Sequence, residues 1–589
     1  MSSSSTINGA PAGHTVLQTG RSLPAAFFAA AERHGESPFL GVKKLGVWTA
    51  ISWSEAATAV RETAAGLVAL GVRPAQRVAI VSHSRAECFI VELAILSVGA
   101  VAVALSPDHG VAIPALCRTI EATTVFVEGA ELSSLWRTSP NANEPPPTLL
   151  IRIDAVPPGK QGSLDLTAVR ARADVGTREE ANNRLAETLS DSIAIGSFSA
   201  GTTAPPSVAW HSHSDVFAAC RAVQARVPFT QEDTKLCFLS WARAAERLMS
   251  LYLPMLAGMR VDFAEGLDTV PENLREVSPT IVTATVGQLN TLRRSVDDAL
   301  SEAGRLPQAA FRWAYACGEE RMAEILAGRV PSGWLSLRWA IARRFVLANS
   351  RRYMGLDRCR HLIALEGSVP PGLARWYLYQ GIPVVQVWGT TAALGVAAVN
   401  ALPDWRFDAT GRPVAHAAVS LEPGTGSLRI RDADSGHLGT IDSEGFIKLT
   451  GRAVERLRTQ SGAEIPASRI QDRLRESALI RDALVFGDGR PFPSAIVLLS
   501  REAVERRMHR QGVPFADYQE LARKSEVREL IQAEIDAVNA ELDGAVQLRG
   551  FHILDVDLEP GGEEMTPTVR LRRWALEPRL RGHLEALYT

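Results

Sequence analysis

The sequence predicts an α/β protein with a large, multi-lobed body and a small α+β lid at its C-terminal end. Three observations predict it. From about residue 20 onward, short β-branched runs alternate with stretches of helical length, the rhythm of a parallel sheet covered by helices. Between Pro403 and Gly451 that rhythm gives way to short strands punctuated by Gly and Asp turns. After Gly451 a compact tail carries helix and strand signals of its own. The expected division is a disordered Ser/Gly/Ala-rich tail over 1–16, a body over 17–451 and a lid over 452–589.

Taken in order, Leu23 to Arg33 is an Ala-rich helix, and Trp53 to Leu70 a second one stopped by Gly71. Arg77 to Ser82 is a β-branched strand, Ala86 to Gly99 a helix and Val101 to Leu105 a strand, which together make one βαβ unit. Ser139 to Thr188, rich in Pro, Asn, Asp and Thr, reads as a surface excursion before the strand Asp191 to Phe198. Alternation is expected to resume through residue 400. Short strands follow at Gly426 to Arg431 and Gly445 to Leu449. In the lid we expect a helix at Ala467 to Glu476, strands at Asp482 to Gly487 and Ser494 to Leu499, and a helix around Ser525 to Leu542. Val527, Leu530, Ile531, Ile535, Val538 and Leu542 fall on one face of that last helix at steps of three and four.

Composition bounds the function. With 589 residues, 46% hydrophobic and 22% charged, the chain can bury several cores, which excludes disorder as its dominant state. The net charge of 63 − 65 = −2 leaves no overall electrostatic footprint for nucleic acid or an anionic membrane. Six cysteines are scattered without a C-x-x-C pair or zinc spacing, so they read as buried or idle thiols of a reducing compartment. The longest uncharged apolar stretch, Leu93 to Pro107, is 15 residues with Gly99 inside it, short for a membrane span. Met1 to His14 has no apolar core of a signal peptide. The expectation is a soluble, cytoplasmic protein without a metal site, a transmembrane segment or a nucleic-acid partner. Only six of the 63 basic residues are lysines, so any mechanism that needs a lysine has six candidates.

Ser197-Phe-Ser-Ala-Gly-Thr-Thr-Ala-Pro-Pro-Ser207 follows a predicted strand, and a Ser/Thr/Gly loop in that place can wrap phosphate oxygens with N–H groups and hydroxyls. It is neither a Walker loop nor a nucleophile elbow. The loop resembles the phosphate loop T-S-G-T-T-G-x-P-K-G of the adenylate-forming superfamily. Further matches follow in chain order. Gly355-Leu-Asp-Arg-Cys-Arg-His361, Gly381-Ile-Pro383 and Trp388-Gly-Thr-Thr-Ala392 are similar to the segment leading to Y-G-x-T-E. Ser435-Gly-His-Leu-Gly439, Asp442-Ser-Glu-Gly-Phe446 and Thr450-Gly-Arg452 resemble T-G-D-L-G, D-x-D-G-F and T-G-R. Thr566-Pro-Thr-Val-Arg570 resembles T-P-T-x-K. The likeness runs from about residue 20 to 589 and is nearest to the long-chain, bubblegum-type fatty acyl-CoA synthetases.

That resemblance implies the site. Its phosphate-loop and nucleotide-site positions are Ser199, Gly201, Thr202, Thr203, Ser207, Trp388, Gly389, Thr391, Ala392 and Arg452, with a hinge at Val454 and degenerate catalytic positions at His437 and Arg570. Several depart from the family. Ser207 stands where the family has a lysine near pyrophosphate, Ala392 where it has the Mg²⁺ glutamate, and His437 where it has the ribose aspartate. Arg570 replaces the catalytic lysine of the lid, and Ala204 and Val208 replace loop glycines that let the backbone curl. Arg570 can still grip an anion bidentately.

Other residues read more plainly. His211 and His213 are expected to be exposed strand-end histidines rather than a metal pair. Arg243 and Arg247 fall in the family's L-P-L-x-H-x-x-E-R segment, as an anion site or as a surface ion pair with Glu246. Cys237 and Cys317 show no histidine partner by sequence. The reading that follows is an acyl-CoA-synthetase-like protein with weak or absent ATP and Mg²⁺ binding. It would bind or transfer an acyl group held as acid, CoA thioester or phosphopantetheine thioester, with an acyl carrier protein as candidate partner. The alternatives are a non-catalytic partner of another pathway enzyme, and a divergent but active long-chain fatty acid–CoA ligase.

Overall fold

Two apolar runs start the body. Arg77–Val81 and Val101–Leu105 pair in parallel, and every residue of the second is buried. Strands covered on both faces read as continuous apolar runs because neither side meets water. The helix between them, Ala86–Ser97, is buried at every position except Glu87. The preceding helix, Trp53–Ala69, starts at a reciprocal cap: Glu55 N–H donates to Ser52 Oγ at 3.1 Å, and Ser52 N–H to Glu55 Oε2 at 2.7 Å.

The computed structural model describes residues 21–138, 147–155, 164–199, 206–365, 367–431, 433–453, 456–558, 562, 564–566 and 570–588. Among them, one sheet has seven strands in the order Leu164–Asp165, Leu149–Arg152, Thr124–Val127, Arg77–Val81, Val101–Leu105, Ile193–Phe198 and Val208–Ser212. Its neighbours are parallel except for the last two, which form a hairpin. The second sheet has nine strands. Val384–Trp388, His361–Leu365, Ile281–Thr285, Thr234–Cys237, Arg260–Phe263 and Pro38–Lys44 form its parallel interior, with antiparallel strands at both edges. A four-stranded antiparallel sheet, Val419–Leu421 to Ile447–Arg452, completes the body. Beyond it the strands Ile480–Phe486, Ser494–Leu499 and Gly550–Ile553 pack with helices Ala467–Arg475 and Ser525–Asn539 around a separate core. Val527, Ile531, Ile535 and Val538 of the latter helix are buried there, with Leu530 and Leu542 packed against them.

Arg247 fastens the two large sheets together. It ends the short helix Ala244–Arg247, which follows the strand Thr234–Cys237 of the nine-stranded sheet. Its Nη1 donates to Gly196 O at 3.1 Å and its Nη2 to Ala102 O at 3.2 Å, both on strands of the other sheet. Its Nε meets both oxygens of Glu92 at 2.8 and 2.9 Å, and Tyr252 Oη donates to the same carboxylate. The Arg247 side chain is 1% exposed and that of Glu92 0%. Glu246, the preceding residue, faces elsewhere. It accepts from Lys235 Nζ at 3.0 Å and from Thr283 Oγ1 at 2.7 Å.

The structure corrects several expectations. Arg247 and Glu246 form no surface pair, because adjacent helical residues point about 100° apart and each finds its own buried partner. His211 and His213 are each 2% exposed, not exposed strand ends. His213 Nδ1 accepts the N–H of Leu23, 190 residues away, and burial pushes its pKa down to about 4. The supposed excursion over Ser139 to Thr188 contributes the edge strand Leu164–Asp165, its neighbour Leu149–Arg152 and the helix Val175–Glu187. That helix is fixed to the helix Trp53–Ala69 by a two-pronged Arg178–Glu62 ion pair at 2.8 and 3.0 Å. Half-exposed edge strands need no long apolar run, which is why composition hid them. Alternation also fails between Val286 and Tyr353, where the chain stays helical from one strand to the next. The lid helices Arg501–Gln511 and Tyr518–Arg523 and the strand Gly550–Ile553 add to the predicted set.

Removing one member of the enclosed pair should be far worse than removing both. Arg247→Met leaves Glu92 buried without a counter-charge and is expected to cost about 3–5 kcal/mol. Arg247→Met with Glu92→Leu should recover part of that loss, as measured by urea unfolding of the single and double variants.

Candidate functional site

The parallel strands of both sheets end on one cleft of about 2320 Å³ between body and lid. Ser106, Ser199, Phe238, Phe263, Thr285, Leu365 and Trp388 line it, each at or just past the carboxyl end of its strand. Open α/β sheets bind ligands there, because the loops that leave the strands can vary without disturbing the sheet.

Ser199 and Ser207 close the base of the phosphate-type loop. Ser199 N–H donates to Ser207 O at 2.8 Å, Ser207 N–H donates to Ser199 Oγ at 2.9 Å, and the two hydroxyls lie 3.3 Å apart. A short neutral hydroxyl thus borders the cleft at Ser207. Gly201, Thr202, Thr203 and Ala204 lie outside the described residues.

Trp388 ends its strand 4% exposed. Gly389 follows because there is no room for a side chain. A Cβ there would stand 2.5 Å from the Gly395 carbonyl carbon and from Val396 N. Thr391 opens the turn Thr391–Ala393, and Ala392 presents a methyl group to the cleft. A hard divalent cation is held chiefly by carboxylate oxygens, and the Ala392 side chain supplies none. The donor set does not fit the metal at the family's position. Among the described residues no group of three or more His, Cys, Asp and Glu is arranged to hold a metal ion.

His437 and Arg452 are register partners on adjacent strands, so both reach the same wall of the cleft. The His437 ring stands edge-on to Trp388, with centroids 5.5 Å apart and planes at 87°. Its Nδ1 donates to Ser435 O at 2.9 Å. An imidazole held in this way cannot accept two ribose hydroxyls as a carboxylate would. Arg570, on the lid, also lines the cleft; its Nη1 lies 3.6 Å from Asp482 Oδ1. That carboxylate already takes Arg475 Nε at 2.5 Å and the N–H of Leu571 at 2.7 Å. Burial, and then the charge of Arg475, hold the Arg570 pKa below its ordinary value. The hinge position Val454 lies outside the described residues.

Sequence reasoning missed the polar wall on the seven-stranded sheet. His83 Nδ1 lies 3.1 Å from Glu128 Oε2, which also accepts the His83 N–H at 2.8 Å and Ser82 Oγ at 2.9 Å. Burial pushes the Glu128 carboxyl up, but these hydrogen bonds prevail and bring it down to about 2. The Glu128 hydrogen bond raises the His83 pKa. Arg85 bridges Glu87 at 2.9 Å and Asp154 at 2.8 Å beside them. Their position just after parallel strands was the available signal.

Residues 27–439 match the family described as AMP-binding enzyme, and residues 455–589 the one described as AMP-binding enzyme C-terminal domain. The chain is similar to the long-chain-fatty-acid–CoA ligase FadD15 of Mycobacterium tuberculosis, at 26% identity over 92% of this chain and 93% of that one. It is also similar to the long-chain-fatty-acid–CoA ligase ACSBG2 of Homo sapiens, at 21% identity over 97% and 93%. Among solved structures it superposes on the adenylation domain of a carboxylate reductase from Mycobacterium chelonae with a TM-score of 0.68 and 18% identity, covering 98% of this chain and 92% of that one. An anthranilate CoA ligase in complex with anthranoyl-AMP gives a TM-score of 0.66 at 15% identity, covering 97% and 99%. These structural likenesses establish the fold.

The His83–Glu128 pair sets a pH window. A raised imidazole pKa stabilises the fold fully below 6.5 and is lost as pH rises through the folded value. A carboxyl lowered to about 2 stabilises it above 4.5 and is lost as pH falls through the folded value. The difference in urea midpoint between the wild type and His83→Ala should therefore be greatest between those two reference values and shrink by about pH 9.

Proposed function

We infer, for a chain that belongs to the AMP-binding enzyme family, that its cleft holds a fatty-acyl group as free acid or thioester without activating it with ATP. One observation carries this reading. Ser207, Ala392, His437 and Arg570 all border the same cleft; in this reading they stand where the family's motifs carry the loop cation, the metal carboxylate, the ribose carboxylate and the lid lysine. If each lost group supplied roughly 2–3 kcal/mol to the adenylation transition state, the joint deficit is several powers of ten even with strong non-additivity. The apolar part of the cleft, with Phe238, Phe263, Val286, Leu365 and Val369, suits a hydrocarbon chain. A phosphopantetheine arm of CoA or of an acyl carrier protein is the thioester handle in this reading.

A specific observation favours the second reading, a divergent but active ligase. Arg570 still borders the cleft, and its Nη1 is buried without a hydrogen-bond partner. A guanidinium there can face a phosphate or carboxylate of a bound ligand.

Calorimetry separates the two. Long-chain acyl-CoA is expected to give a saturable heat, and Mg-ATP no dissociation constant tighter than about 1 mM, a bound set by the absent charge contacts. Submillimolar Mg-ATP binding together with pyrophosphate exchange into ATP would establish the ligase instead. The combined variant Ser207→Lys, Ala392→Glu, His437→Asp, Arg570→Lys should still exchange pyrophosphate poorly, because catalytic geometry tolerates only about half an ångström of error.

A further inference from the structure

The helical block between Val286 and Tyr353 carries an apolar face that none of the described residues covers. Trp334, Leu337, Ile341 and Phe345 follow at steps of three and four, so they share one side of the helix that begins at Gly333–Ala342 and runs on through Arg343–Leu347. They are 69%, 52%, 44% and 71% exposed. The opposite side is apolar as well: Trp339, Ala342 and Leu347 are buried with Ala314 and Cys317. The helix therefore carries apolar side chains on two opposite sides, with Arg338, Arg343 and Arg344 between them, and the described residues enclose only one of those sides. Val330, two residues before the cap at Ser332, is 76% exposed as well.

The unpaired charge of this segment has one sign among the described residues. Between Ile325 and Leu356 the chain holds six arginines and no acidic residue or lysine. Arg329 and Arg338 are paired with Glu324 and Glu320, and Arg351 is buried on backbone carbonyls. Arg343, Arg344 and Arg352 are exposed and carry no ion pair among the described residues. The overall charge of −2 conceals this local excess, which acts over about one Debye length, roughly 10 Å.

We propose that this face is a peripheral docking site for an anionic lipid bilayer, with the helix lying in the plane of the interface. Trp334, Leu337, Ile341 and Phe345 enter the headgroup–acyl boundary over about 16 Å of helix. Arg343, Arg344 and Arg352 meet lipid phosphates. A second copy of the chain fits the face less well. A two-fold interface would set these arginines against their own copies, and the segment has no carboxylate to answer them. None of these side chains lines the cleft, so the proposal stands or falls independently of the acyl reading.

The test is co-sedimentation of the full chain with vesicles of phosphatidylcholine and phosphatidylglycerol, and with phosphatidylcholine alone. Binding is expected on the mixed vesicles, weakening at least about tenfold on the neutral ones and in high salt. Brominated acyl chains should quench part of the tryptophan emission, and Trp334→Phe should remove that part. Leu337→Ser with Phe345→Ser, and separately Arg343→Glu with Arg344→Glu, should each reduce binding at least about tenfold while the thermal unfolding midpoint stays in place. All these positions are exposed, so the variants should fold. Absence of binding to the mixed vesicles, or binding that survives both double variants, overturns the proposal. So does a dimer in light scattering that the same substitutions dissolve, or saturable capture of an acidic carrier protein by the same residues without any lipid binding.

Discussion

A guanidinium sealed away from water holds the two halves of the body in register. Arg247 leaves one sheet and ends on two backbone carbonyls of the other, with Glu92 and Tyr252 closing around it. Taking such a charge out of water is expensive, and the expense is offset only when every donor finds an acceptor. Here Nε–H is shared between both oxygens of Glu92, and each Nη donates to a backbone carbonyl, so all three nitrogens of the guanidinium are engaged. Burial pushes the Glu92 carboxyl above its ordinary range, and Arg247 and Tyr252 oppose that rise. A second enclosed network, Lys235 with Glu246, Thr283 and Ser250, lies beside it. Apolar packing brings the sheets together, whereas these directional contacts select one angle between them.

The cleft inherits that angle. Its walls are strand ends from two sheets and a face of the lid, so its shape depends on how rigidly the sheets are joined. This explains a contrast within the site. Residues that hold geometry are retained: Gly389 sits where a Cβ has no space, and Arg452 keeps its register opposite His437. In the reading proposed above, the residues that differ from the family's motifs are those at the charged positions of the loop, the turn, the ribose site and the lid. Geometry and charge therefore come apart in this chain, because packing is needed for folding whatever the ligand, while each charge serves one ligand group.

The helical block from Val286 to Tyr353 shows the same separation at the surface. Its inner face is bound into the fold by Trp339, which packs where Gly318 and Gly381 leave no room for a side chain. Its outer face is exposed and keeps large apolar groups beside arginines. Isolated exposed hydrophobes need no explanation, but a contiguous stripe of one charge environment does.

The sequence by itself determined the fold class, the family likeness and the order of motifs, since periodicity and local spacing depend on neighbours within a few residues. Ser199, Ser207, Trp388, Ala392, His437 and Arg570, far apart in the chain, line one cleft in the fold. Only the tertiary structure decided where charge is buried. Whether Arg247 pairs with Glu246 or with Glu92 depends on a helix 155 residues away. His211 and His213 looked solvated because strand ends usually are, and a distant helix start enclosed one of them. The His83–Glu128 pair and the uncovered helical stripe were likewise invisible, because each is a relation across elements and not along the chain. Local patterns fix what each segment can form; the solvent each side chain finally meets is set by what folds against it.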